Sequence, residues 1–74
     1  MARLIRMDQT GHTTLAEWRA DDPEAVEAAV LAFREQLERG YFGMVSTGEG
    51  HAEQVRELPI DADLVIMRLP ISGG

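Results

Sequence analysis

Leu64-Val65-Ile66-Met67-Arg68-Leu69-Pro70-Ile71-Ser72-Gly73-Gly74 is the stretch from which the rest of this chain is read. Leu64 to Leu69 is a dense apolar run of the length expected of a buried strand. Pro70 has no backbone N–H to donate, so regular pairing is expected to stop there. The tail that follows closes on two glycines. Without Cβ atoms, Gly73 and Gly74 can thread a channel too narrow for any other residue. A carboxylate on such a tail is a substrate rather than a catalyst. An enzyme can adenylate it, and a thiol, sulfide or amine can then attack the carbonyl. The expected organisation is a folded domain over residues 1–69 and a flexible C-terminal tail over residues 70–74.

The totals narrow the field. Seventy-four residues allow one domain with one small core, and a chain of this size buries only about 60% of its unfolded surface. A hydrophobic fraction of 45% is ordinary for a globular protein. Thirteen acids against seven bases leave a net charge of −6. That balance disfavours nucleic acid and anionic membranes, which need basic patches, and favours a monomer docking on a more basic protein surface. With no cysteine there is no disulfide framework and no thiol nucleophile, so any thioester must use a partner's cysteine. Arg3 and Arg6 interrupt the only apolar stretch near the N-terminus, and no run approaches the roughly 20 residues of a membrane helix. A cytoplasmic location is therefore expected.

Working back from Leu64, Ile60-Asp61-Ala62-Asp63 reads as a turn. Residues 52 to 58 read as a weaker, exposed strand anchored by Val55 and Leu58 and closed by Pro59. Thr47-Gly48-Glu49-Gly50 is a loop tip, and Tyr41 to Ser46 a strand. Before these comes a helix with clear ends. Asp22 can cap it, Pro23 suits its first position, and Glu24 favours the positive end of its dipole. Val26, Ala29, Val30, Phe33 and Leu37 form one apolar stripe at helical spacing, expected to cover a sheet. Glu35 and Arg39 stand at the favourable i,i+4 order. Gly40 ends the helix, which is expected to run from Pro23 to Arg39. Arg3 to Met7 and His12 to Arg19 read as two strands joined by the turn Asp8-Gln9-Thr10-Gly11. Alternation does not say whether Leu4 or the Ile5/Met7 side faces the core. Trp18 is expected at the core's edge.

The order is thus strand, strand, helix, strand, strand, strand: an α+β protein of two layers, with one helix on a mixed sheet. This is the element order of the β-grasp fold. The sequence resembles ubiquitin and its bacterial ubiquitin-like and sulfur-carrier relatives. Thr10-Gly11-His12-Thr13 sits in the hairpin like ubiquitin's threonine-glycine-lysine-threonine. Val65-Ile66-Met67-Arg68-Leu69 looks like ubiquitin's leucine-valine-leucine-arginine-leucine. The ending Pro70-Ile71-Ser72-Gly73-Gly74 is closer to the small sulfur-carrier subunit of molybdopterin synthase, which ends in a proline, small or apolar residues and Gly-Gly. The strand Tyr41 to Ser46 and the loop after it match neither relative well. The chain has no lysine, so chain-building through its own lysines is excluded.

The resemblance implies a ubiquitin-like protein modifier or sulfur carrier whose Gly74 carboxylate is activated by an adenylating enzyme, with Gly73 beside it. Ile66, Arg68, Leu69, Pro70 and Ile71 would be recognition residues for that enzyme and for target or transfer proteins. The chain would hold no cofactor of its own, ATP being used by the activating partner. A different reading stays open: a β-grasp binding module that docks a partner through its sheet face without covalent chemistry, in a larger complex or a phage-encoded assembly. Ile66 serves either role, or simply the core.

Other chemistry is poorly supported. His12 and His51, the only histidines, lack metal-ligand spacing. Asp61 and Asp63 flank one alanine in a turn, where acids are ordinarily solvated or capping. Gly48-Glu49-Gly50 is too short to cradle a phosphate, and the helix opens with acids that would repel one. No nucleophile–base constellation emerges, so the chain is not expected to be an enzyme.

Overall fold

The computed structural model describes residues 1–48 and 50–69 of the chain. In order it forms β1 (Ala2–Asp8), β2 (Gly11–Trp18), α1 (Pro23–Glu38), β3 (Phe42–Gly48), β4 (His51–Val55) and β5 (Leu64–Arg68). The five strands make one mixed sheet in the order β2-β1-β5-β3-β4. β1 and β5 run parallel at its centre, and the other neighbours are antiparallel. α1 packs across one face, chiefly against β2 and also against β3. The chain is therefore an α+β protein with one helix on a mixed five-stranded sheet. No helix among the described residues is long and apolar enough to cross a membrane.

Local chemistry accounts for the helix. The Asp22 carboxylate accepts a hydrogen bond from the Ala25 N–H at 3.2 Å, and Pro23 opens the first turn. At the other end Arg39 is the C-cap and Gly40 takes φ +94°, the left-handed region that glycine enters without Cβ strain. Tyr41 N–H then donates to the Gln36 carbonyl and Gly40 N–H to the Leu37 carbonyl, both at 3.0 Å. This pair of bonds is the Schellman motif, and it satisfies two carbonyls the helix end would otherwise orphan. Arg39 ion-pairs with Glu35 at 3.0 Å.

The core lies between α1 and the sheet. Leu4, Trp18, Ala29, Phe33, Leu58, Val65 and Met67 form it, with Val26, Val30 and Leu37 partly buried against it. Fully burying side chains of this size contributes roughly 1.5–3 kcal/mol each. Phe33 reaches the backbone of β3 at Gly43, where a Cβ would lie 2.6 Å from its ring.

Some local expectations need correction. Trp18 is 1% exposed and belongs to the core rather than its edge, because its indole N–H finds the Ile60 carbonyl at 3.1 Å and the ring can sink without losing a hydrogen bond. The fourth strand ends at Val55, not at residue 58. A bend at Arg56 and Glu57 follows, and Leu58 turns into the core from outside the ladder. Gln36 is buried on the helix stripe although polar, and its Oε1 has no hydrogen-bond partner among the described residues.

Candidate functional site

The candidate site is built on β5, the strand at the middle of the sheet. Its burial alternates: Val65 and Met67 are buried toward α1, and Leu64 and Ile66 are half-buried on the opposite, open face. Alternation follows from the pleat, which sends successive side chains to opposite sides. Ile66 is therefore not under the helix. It stands opposite Ile5 of β1 and Met44 of β3, so three apolar residues cross the open face in one row. Leu64 lies opposite Arg3, and Arg68 opposite Phe42 and Met7. Ile5 also faces Thr14 of β2, and with neighbours on both sides it is only 8% exposed.

Two cations border this apolar row, Arg3 and Arg68, and both are exposed. Among the described residues Arg68 has no ion-pair partner. A shallow depression of about 310 Å³ opens beside it, lined by Met44, Ser46, Ala52, Ile66 and Arg68 among others. Leu69, the next residue after the strand, is 51% exposed. The structure thus brings Ile66 and Arg68 together on one face and places Leu69 just beyond them. Pro70, Ile71, Gly73 and Gly74 lie outside the described residues.

Met44, Phe42 and Ile5 were not singled out from the sequence as part of this face. Their signal was the register, which no single strand carries. On the helix side of the sheet, Arg6 holds its guanidinium 5.8 Å from the centre of the Tyr41 ring and 3.8 Å from Asp8. Asp8 closes the first hairpin: its Oδ1 accepts from the Thr10 hydroxyl at 2.6 Å and the Thr10 N–H at 2.9 Å. Those two hydrogen bonds, the hydroxyl's first and the backbone's second, hold the Asp8 carboxyl below its ordinary 3.8. The Arg6 charge helps, and partial desolvation works against them.

A second depression, of about 480 Å³, lies at the other end of the sheet beside Met1, Trp18 and Ile60. Asp21, Asp61 and Asp63 line it. Asp21 is engaged by Arg19 at 3.2 Å. Asp61 and Asp63 are both exposed, Asp61 within the turn that Ala62 N–H closes on the Pro59 carbonyl and Asp63 just after it. His12 is in β2 and His51 in β4, at opposite margins of the sheet. Among the described residues no group of three or more His, Cys, Asp or Glu is placed to hold a metal ion. Comparison with protein-family models, with curated proteins and with solved structures returns no significant match.

Proposed function

We propose that this chain is a ubiquitin-like β-grasp protein whose Gly74 carboxylate is activated by an adenylating enzyme, for sulfur transfer or for protein modification. The observation that carries the reading is the placement of β5. It is the central strand, parallel to β1 and covered by the one helix, and it leads the chain out through exposed Arg68 and Leu69 toward Gly73-Gly74. The strand order with a central parallel pair supports the β-grasp assignment. So does the hairpin that precedes the helix.

The chemistry asked of the tail is simple. A carboxylate oxygen of Gly74 attacks the α-phosphorus of ATP, and pyrophosphate leaves. A sulfide or a partner's cysteine thiolate then attacks the acyl carbon of the adenylate, and AMP leaves. The product is a thiocarboxylate or a thioester, and an amine can displace the thioester to give an amide. The chain supplies the carboxylate and the surface that presents it; the catalyst is its partner.

The reading requires a free carboxylate at Gly74, so the first measurement is the intact mass of the protein from its natural source. The second is intact mass after incubation with ATP and the adenylating enzymes of that source. An adenylate, thioester or thiocarboxylate at Gly74 supports the proposal. A mature protein that continues past Gly74 contradicts it.

The open face favours a second reading. The Ile5–Ile66–Met44 row, bordered by Arg68 and a shallow depression, offers a docking surface that needs no covalent step. In that case the chain is a binding module in a larger assembly. Substituting Ile66→Asp would then abolish partner binding, while changes at Gly73 and Gly74 would leave it intact.

A further inference from the structure

Among the described residues the sheet has two free margins, β2 on one side and β4 on the other. A free margin presents unpaired N–H and C=O groups, and proteins protect such edges with charge, proline, bulges or short strands. β4 is protected in several of these ways. It has only five residues, it carries Glu53, and Arg56, Glu57 and Pro59 follow it closely. β2 is eight residues long, and no Asp, Glu, Lys or Arg occurs from Gln9 to Ala16. Its half from Gly11 to Thr14 is exposed at every residue. The hairpin with β1 and the packing of α1 hold this edge in place. Its protective features are the exposed Glu17 near its end and a bulge, where Leu15 is skipped between the pairs Leu4–Ala16 and Ile5–Thr14, and both lie outside Gly11–Thr14.

We infer that β2 is a self-pairing edge: two copies of this chain join β2 to β2, antiparallel about a twofold axis, so that one continuous sheet runs through both. The charge distribution selects a second copy as the occupant. In a twofold contact the same patch lies on both sides, so a patch of one net sign meets that sign again. A chain of net charge −6 therefore repels itself across most of its surface. On the solvent face of α1, exposed Glu24, Glu27, Glu35 and Glu38 outnumber Arg34 and Arg39, so that face repels its own copy, and β4 would set Glu53 near its own copy. The Gly11–Ala16 edge meets itself without charge, and cross-strand threonine pairs such as Thr13 and Thr14 can form are favourable. A partner of different sequence would find no charge on this edge to match. The Leu15 bulge confines pairing to the straight half of the strand, so the contact is small and the association weak. This inference does not rest on the function proposed above, and it departs from the monomer expected from net charge.

The test is sedimentation equilibrium over about 10 to 1,000 µM, the range of a weak contact, at about pH 8. Amide exchange of β2 is followed by NMR over the same range. The wild type should rise from the monomer mass toward the dimer mass. Amides within Gly11–Thr14 should gain protection with concentration. Thr14→Lys and Thr13→Lys, each checked for an unchanged fold by NMR, should move the midpoint at least tenfold to higher concentration, while Thr14→Ser leaves it in place. A wild type that stays at the monomer mass throughout overturns the inference. So does a dimer that both lysine variants leave unchanged, or one without protection in β2.

Discussion

Gly43 and Phe33 show how closely this small core is fitted. A Cβ at Gly43 would stand 2.6 and 2.9 Å from two carbons of the Phe33 ring, and that ring is 1% exposed, so it has nowhere to retreat. Gly43→Ala should cost about 1–3 kcal/mol through overpacking. Phe33→Ala should cost about 3–5 kcal/mol through lost burial and a cavity. Urea denaturation of each would show it, and a near-neutral Phe33→Ala would mean the helix phase is wrong. The pair should also be non-additive, because Phe33→Ala removes the atoms a new methyl at 43 would strike. Phe33 could be placed from helical spacing alone. Its partner could not, because a glycine in a strand gives no sign of what packs over it.

Asp8 gives the acid dependence of the first hairpin. Its carboxyl is held below 3.8 by the hydrogen bonds from Thr10, so the folded state binds that proton less readily than the unfolded state. The stabilisation is present above 3.8 and is lost as pH falls through the lower folded value. Asp8→Asn should therefore lose less stability than the wild type between about pH 5 and about pH 2. Parallel denaturation curves at the two ends would show this. Equal losses in both proteins would contradict the turn geometry.

Among elements, the helix was the most legible and the strands the least. The cap, the proline, the stripe and the terminal glycine are local signals, and each acts where the sequence places it. Asp22→Ala should cost about 0.5–2 kcal/mol by removing the bond to the Ala25 N–H. Gly40→Ala should cost about 1–2 kcal/mol because φ +94° strains any residue with a Cβ. Thermal melts of both variants would check this. The strand phases were hidden for a physical reason. In β1 both Leu4 and Ile5 are buried, one toward the helix and one on the open face. In β5 the open-face residues Leu64 and Ile66 are as apolar as the core residues Val65 and Met67. When both sides of a central strand carry apolar residues, alternation vanishes from the sequence. Leu58 is hidden for a related reason: its apolar character marks burial, and burial alone does not make a strand.

At the scale of the whole molecule, one helix and five strands put β5 at the middle of the sheet, with exposed Arg68 and Leu69 at its end. Element order was legible because each element carries local signals of its own type, even where, as in β4, its end is misplaced. The pairing order was not, since β1 and β5 are far apart in sequence and only the fold brings Ile5, Ile66 and Met44 into one row. Gly74 comes five residues after Leu69, the last described residue, and every core residue precedes it in the chain. Deleting it should leave stability within the ±0.5 kcal/mol or so typical of surface changes, measured by the same urea titration. The most direct test of the account is ATP–pyrophosphate exchange with the adenylating enzymes of the natural source, wild type and Gly74 deletion side by side. The account predicts exchange stimulated by the wild type and none by the deletion. Equal exchange from both, or none from the wild type with any of those enzymes, would contradict it.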